Sequence, residues 1–178
     1  GVKVYSHANW NNDGLDIDSR NVVVSDCYID CDDDALCLKS DTDTPCENVT
    51  VTNCVLKSNC NAIKFGTSSY SGFKNVTISN CTIDRASEDH IRQWYKNYPW
   101  IGTKHKTVVA GIALESVDGG IIENVSISDI AMQGVQTPIF VRLGDRKRTF
   151  SKQMSRINDV MISRIIARSE GKIACSIT

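Results

Sequence analysis

The 178-residue sequence lacks a charge excess of either sign: 20 Lys and Arg stand against 21 Asp and Glu, a net charge of -1. A basic surplus is the usual footprint of a nucleic-acid binder, so no nucleic-acid partner is expected. No apolar run approaches the length of a membrane span, and no membrane partner is expected either. No secretory leader is visible, and Gly1-Val2-Lys3-Val4-Tyr5 reads as mid-domain sequence, so any leader is expected to lie outside this chain. No stretch keeps a helical period, and no Asn-Gly dipeptide marks a tight hairpin. None of the Cys and His spacings suits zinc. The expectation is therefore a chain without metal or other cofactor.

What is present is a repeat. Asn21-Val-Val-Val-Ser-Asp-Cys27 recurs as Asn48-Val-Thr-Val-Thr-Asn-Cys54 and Asn75-Val-Thr-Ile-Ser-Asn-Cys81. Weaker copies begin at Asn124 and Asp159. Each alternates apolar and polar residues and is rich in β-branched types, as a half-buried strand is. A second strand type lies between the copies: Gly14–Ser19, Ala35–Ser40, Ala62–Thr67, Gly111–Ser116 and Pro138–Leu143. Two strand types alternating at a period near 27 predict a solenoid, because a lone coil cannot bury its inner face and a stack can. The predicted fold is all-β, a right-handed parallel β-helix. It forms one domain over residues 1–178, with a loop insertion at about 84–109. That insertion stretches the third repeat interval to 49 residues and holds His90, Trp94, Tyr95, Tyr98, Trp100 and His105. Such loops often form a binding face, and their aromatic rings suit either sugar stacking or packing onto the scaffold.

Three details follow from the repeat. Cys27, Cys54 and Cys81, among eight cysteines, share one coil position and are expected to stack as buried, unbonded thiols. Asp26, Asn53 and Asn80 occupy equivalent turns, where Asn tolerates a left-handed backbone. Asn48, Asn75 and Asn124 begin sequons and read better as strand-entry residues than as glycan acceptors. Open coils also need capping. The helix is therefore expected to be truncated at both ends here, with the remainder of the same β-helix in another segment.

In the second strand type the first inward residues are Leu15, Leu36, Ile63, Ile112 and Ile139. Alternation then turns Asp16, Asp18, Lys39, Lys64, Glu115 and Arg142 outward. Two positions before the first inward residue stand Asp13, Asp34, Asn61, Ala110 and Thr137. Asp13 and Asp34 thus fall on adjacent coils, about 4.8 Å apart at the backbone, with Asp33 beside them. Crowded carboxylates raise at least one pKa. An acid beside ionised carboxylates is what glycoside hydrolysis requires. A solvated turn or a calcium site fed by Asp32, Asp33 and Asp34 is the other reading.

Asn11-Asn12-Asp13-Gly14 resembles the Asn-Thr-Asp-Gly motif of glycoside hydrolase family 28, and Asp32-Asp33-Asp34-Ala35 resembles its Gly-Asp-Asp motif. The resemblance implies a secreted or periplasmic polygalacturonase-like hydrolase of pectic polysaccharide, of galacturonan or rhamnogalacturonan type, acting with inversion. It implies Asp33 as general acid, with Asp13 and Asp34 activating water. Asn11, Asn61, Lys64, Glu115 and Arg142 would contact a polysaccharide substrate. Two family motifs are altered. Cys60-Asn61-Ala62 stands where the family has Gly-His-Gly, and Ala113-Leu114-Glu115 where it has Arg-Ile-Lys. Lys64 and Arg142 could replace the lost cations. A noncatalytic carbohydrate-binding β-helix and a pectate-lyase-like enzyme are the competing functions.

Overall fold

The computed structural model describes residues 1–7, 11–88, 108–147, 153–172 and 175–178. The described strands are, in chain order, β1 (Lys3–Ser6), β2 (Leu15–Ile17), β3 (Arg20–Ser25), β4 (Tyr28–Cys31), β5 (Leu36–Ser40), β6 (Cys46–Thr52), β7 (Val55–Ser58), β8 (Asn61–Ser69), β9 (Phe73–Arg85), β10 (Val108–Ser116), β11 (Ile121–Leu143), β12 (Arg156–Ser169) and β13 (Cys175–Ile177). Every pairing between them is parallel. The chain is a parallel β-helix, as the repeat predicts. The described residues contain no helix long and apolar enough to cross a membrane.

Three columns build the walls. The first stacks β2, β5, β8, β10, the last part of β11, and β13. Its inward register runs Leu15, Leu36, Ile63, Ile112, Ile139, the predicted stack. Leu36, Ile63 and Ile112 are fully buried, while Leu15 and Ile139 are partly buried against the same core. The second column stacks β3, β6 and the starts of β9, β11 and β12, with Val22, Val49, Val76, Val125 and Val160 in register. Sequence reading found these two columns and missed a third. It stacks β1, β4, β7, the end of β9, the middle of β11 and the end of β12, on Val4, Ile29, Leu56, Ile83, Met132 and Ala167. Filling the interior with such aliphatic side chains from each wall contributes about 1.5–3 kcal/mol for each fully buried residue.

The turns repeat as well. Asn21, Asn48, Asn75, Asn124 and Asp159 all have φ between 51° and 60°, a left-handed backbone that bends the chain into the second column. Their side chains form a ladder: Asn48 Nδ2 donates to Asn21 Oδ1 (2.9 Å), Asn75 to Asn48 (3.1 Å) and Asn124 to Asn75 (2.6 Å). These sequon residues are strand-entry residues, as expected. A second left-handed series, Asp26, Asn53, Asn80, Asp129 and Arg164, makes the next corner. Arg164 closes that series by a two-nitrogen grip on Asp129, both contacts at 2.6 Å.

All eight cysteines are free. Cys27, Cys54 and Cys81 lie on successive coils, where the Cys27 carbonyl accepts from Val55 N–H and the Cys54 carbonyl from Thr82 N–H. Burial pushes the Cys81 thiol up to about 11, so it stays protonated at neutral pH. Most of the predicted insertion, with its His, Trp and Tyr residues, lies outside the described residues.

Candidate active site on the first column

The acid cluster is placed by backbone hydrogen bonds between the first two coils. Gly14 N–H donates to the Asp34 carbonyl (2.9 Å), Leu15 N–H to Ala35 (2.9 Å), and Asp33 N–H to Asn12 (3.2 Å). Asp13 therefore lies beside Asp34 in the stack, as alignment of the repeats predicts. Gly14 has no room for a side chain: a Cβ there would come within 2.2 Å of Ile29 Cγ2 and 2.5 Å of the Ala35 oxygen. Asn11 is exposed and has φ 54°, a bend that an Asn accepts.

The side chains divide into two groups. Donor atoms of Asp33, Asp34 and Cys60 all lie within 4.8 Å of one another, and so do those of Asp13, Asp16 and Cys37. The two carboxylates of the first group come together because Asp33 Oδ1 accepts the Asp34 N–H at 2.9 Å, folding one side chain back over its neighbour. The Asp33 carbonyl in turn accepts the Ser58 hydroxyl at 2.6 Å. Asp34 is held from the next coil. Its Oδ1 accepts both the Asn61 N–H (3.0 Å) and Asn61 Nδ2 (2.7 Å), and its Oδ2 faces Lys64 Nζ at 3.8 Å. Either group has the spacing of a cation site. Burial holds the Cys37 thiol in its protonated form, and that thiol donates to the Gly66 carbonyl, which leaves the Asp13 group two carboxylates as ligands.

The Asp13 carboxyl is pushed up to about 6, first by burial and then by the charges of Asp33 and Asp16; Lys39 opposes them. Crowding thus acts in the direction that the sequence predicts, second to burial. Lys39 reaches Asp13 at 3.2 Å and Asp16 at 2.8 Å. Burial works against the Lys39 charge, but the two aspartates outweigh it and its pKa is raised. Lys64 is governed the same way. Its side chain is only 9 % exposed and sits 2.9 Å from Glu115; burial lowers its pKa, and Asp34 and Glu115 raise it further than burial lowers it.

The predicted contact residues are not equivalent in the structure. Asn61 and Lys64 are buried and turned onto Asp34, so they hold an acid in place. Glu115 is spent on Lys64. Arg142 is exposed and lies beside Glu115 in the register of β10 and β11. The outward charges also form two rows. Asp16, Cys37, Lys64, Ala113 and Phe140 share one, and Glu115 and Arg142 belong to the next. The Lys64–Glu115 pair crosses between the rows.

Sequence reading missed a second polar centre on the third column. His7 Nε2 lies 3.0 Å from Asp30 Oδ1, and both residues are buried. Tyr28 Oη donates to Asp30 Oδ2 (3.2 Å), Ser87 N–H to Asp30 Oδ1 (3.0 Å), and Lys57 stands 4.0 Å away. Burial raises the Asp30 pKa, but the Ser87 hydrogen bonds, His7 and Lys57 outweigh it and leave it lowered. An open groove of about 760 Å³ runs over this column, past Tyr28, Val55, Lys57, Asp84 and Gln133 to Arg168. The signal was the outward row Asp30, Lys57, Asp84, Gln133, Arg168, one residue per coil.

No protein-family model, no curated protein and no solved structure matches the chain.

Proposed function

We propose that this β-helix is a glycoside hydrolase that cleaves a pectic or related polysaccharide by direct attack of water. Asp33 protonates the leaving oxygen, and Asp13 takes the proton of the attacking water. Asp33 and Asp34 approach within 4.8 Å, closer than the roughly 6.5–9.5 Å between acid and base in an inverting site. The water therefore belongs with Asp13, which is in the other group, while Asp34 is held by Asn61 and Lys64. The observation that carries this reading is the backbone register that sets Asp13 on the coil next to Asp33 and Asp34, three carboxylates at one strand edge.

Proton NMR of the first product formed tests the reaction, using the purified chain and soluble pectic polymers. Release of a reducing end with inverted configuration supports it. A product of retained configuration would remove the direct-water mechanism. Binding of polymer with no product at any pH would leave a carbohydrate-binding β-helix.

A further inference from the structure

We propose that the sugar unit seated over Asp13, Asp33 and Asp34 carries hydroxyls and no carboxylate, and that the Lys64–Glu115 pair excludes a uronate there. The inference rests on the reading of this cluster as the sugar-cleaving site.

Among the described residues, the cations nearest the acids are already paired with carboxylates. Lys39 lies 3.2 Å from Asp13 and 2.8 Å from Asp16. Lys64 lies 2.9 Å from Glu115 and 3.8 Å from Asp34, with the Lys64 and Glu115 side chains 9 % and 12 % exposed. Among the described residues, two lysines thus face four carboxylates. Arg142, the next cation along the column, stands beside Glu115 and not beside the aspartates.

A uronate placed on this surface would bring one more negative charge to a site that already has an excess of them. It could recruit Lys64 only by drawing it off Glu115. That would leave a largely buried carboxylate without its counter-ion, a strongly unfavourable state. A neutral sugar faces no such conflict. Its hydroxyls donate to carboxylate oxygens, and an array of acids is a good acceptor surface for them. Lys64 and Glu115 act on specificity and make no bond in the reaction.

Polygalacturonan and the same polymer after carboxyl reduction differ in charge and share a backbone, so they isolate this effect. Retention of the whole chain in gels containing each polymer gives the affinity, and reducing-end release gives turnover. The reduced polymer should bind at least tenfold more tightly. Glu115→Gln, which frees Lys64 from one of its two acids, should narrow that gap severalfold by strengthening binding of the native polymer. Equal or tighter binding of native polygalacturonan overturns the proposal, as does a gap unchanged in Glu115→Gln or retention by neither polymer. Preferred binding of the reduced polymer without cleavage sinks the hydrolase and leaves the charge rule standing. Cleavage of the native polymer in preference does the reverse.

Discussion

The outward faces of the first and second columns are built on the same coils by the same parallel hydrogen bonds, and they differ in one respect. On the second column two outward rows keep small hydroxyl residues from coil to coil: Thr50, Thr77 and Ser126 between Val23 and Met161 in one, Ser25, Thr52, Ser79 and Ser128 in the next. On the first column no such row repeats. Asp16 is followed by Cys37, Lys64, Ala113 and Phe140. A solenoid asks only for a repeated interior and repeated corners. Repetition on an outer face is therefore scaffold, and the place where it fails is where residue identity answers to something other than the fold.

The largest break in that comparison should come from the first column. Asp33→Asn removes the proton donor and keeps its shape, so turnover of a natural polymer should fall about 100- to 10,000-fold with binding retained. Steady-state kinetics on the polymer and on a substrate with a good leaving group check it, and the loss should be smaller on the second. Near-normal turnover of the polymer would remove Asp33 from the mechanism.

The interior shared by both faces comes next. Ile63→Ala empties a fully buried site on β8 and should cost about 2–5 kcal/mol in urea unfolding. The corner ladder gives a finer test. Asn75→Ala loses two ladder hydrogen bonds and puts a Cβ-bearing residue at φ 53° with no side-chain compensation, so about 2 kcal/mol is expected. Asn75→Gly loses the same bonds without the backbone strain and should cost less. Equal losses would mean that the left-handed geometry contributes nothing.

The last effect is electrostatic. A carboxyl raised from 3.8 to about 6 by folding binds its proton more tightly in the native state. Its contribution to stability is full below pH 3.8 and is lost as pH rises through about 6. The melting temperature of the native protein should therefore decline across that window. Asp13→Asn cannot titrate and should decline less. Thr50→Ala on the second column, used as a control, should leave both the pH profile and turnover unchanged.

Two columns were legible because each offers a strand of alternating residues next to a corner marked by Asn or Asp. The third was not, because its strands are as short as Tyr28–Cys31 and Val55–Ser58 and their outward residues vary from coil to coil. The acids Asp13, Asp33 and Asp34 could be placed from alignment of the coils alone. How Lys64 divides its charge between Asp34 and Glu115 could not, since that depends on the reach of a long side chain across two rows. The His7–Asp30 pair was hidden for a related reason. It sits on the unrecognised column, and Ser87 comes to it from the residues just after β9.

The Asn ladder also makes the molecule a ruler. Because each coil meets its neighbours through the same corner contacts, a coil can in principle be duplicated or removed without rewriting the ones beside it. From the coil of Asp34 to that of Arg142 is three steps, through Asn61 and Ala110 to Thr137. At about 4.8 Å per step the acid and the exposed cation stand on the order of 14 Å apart along the axis. Inserting one more coil between β8 and β10 would lengthen that gap by a fixed increment and leave both groups chemically unaltered. A chain molecule lying along the column would then meet its two landmarks out of phase.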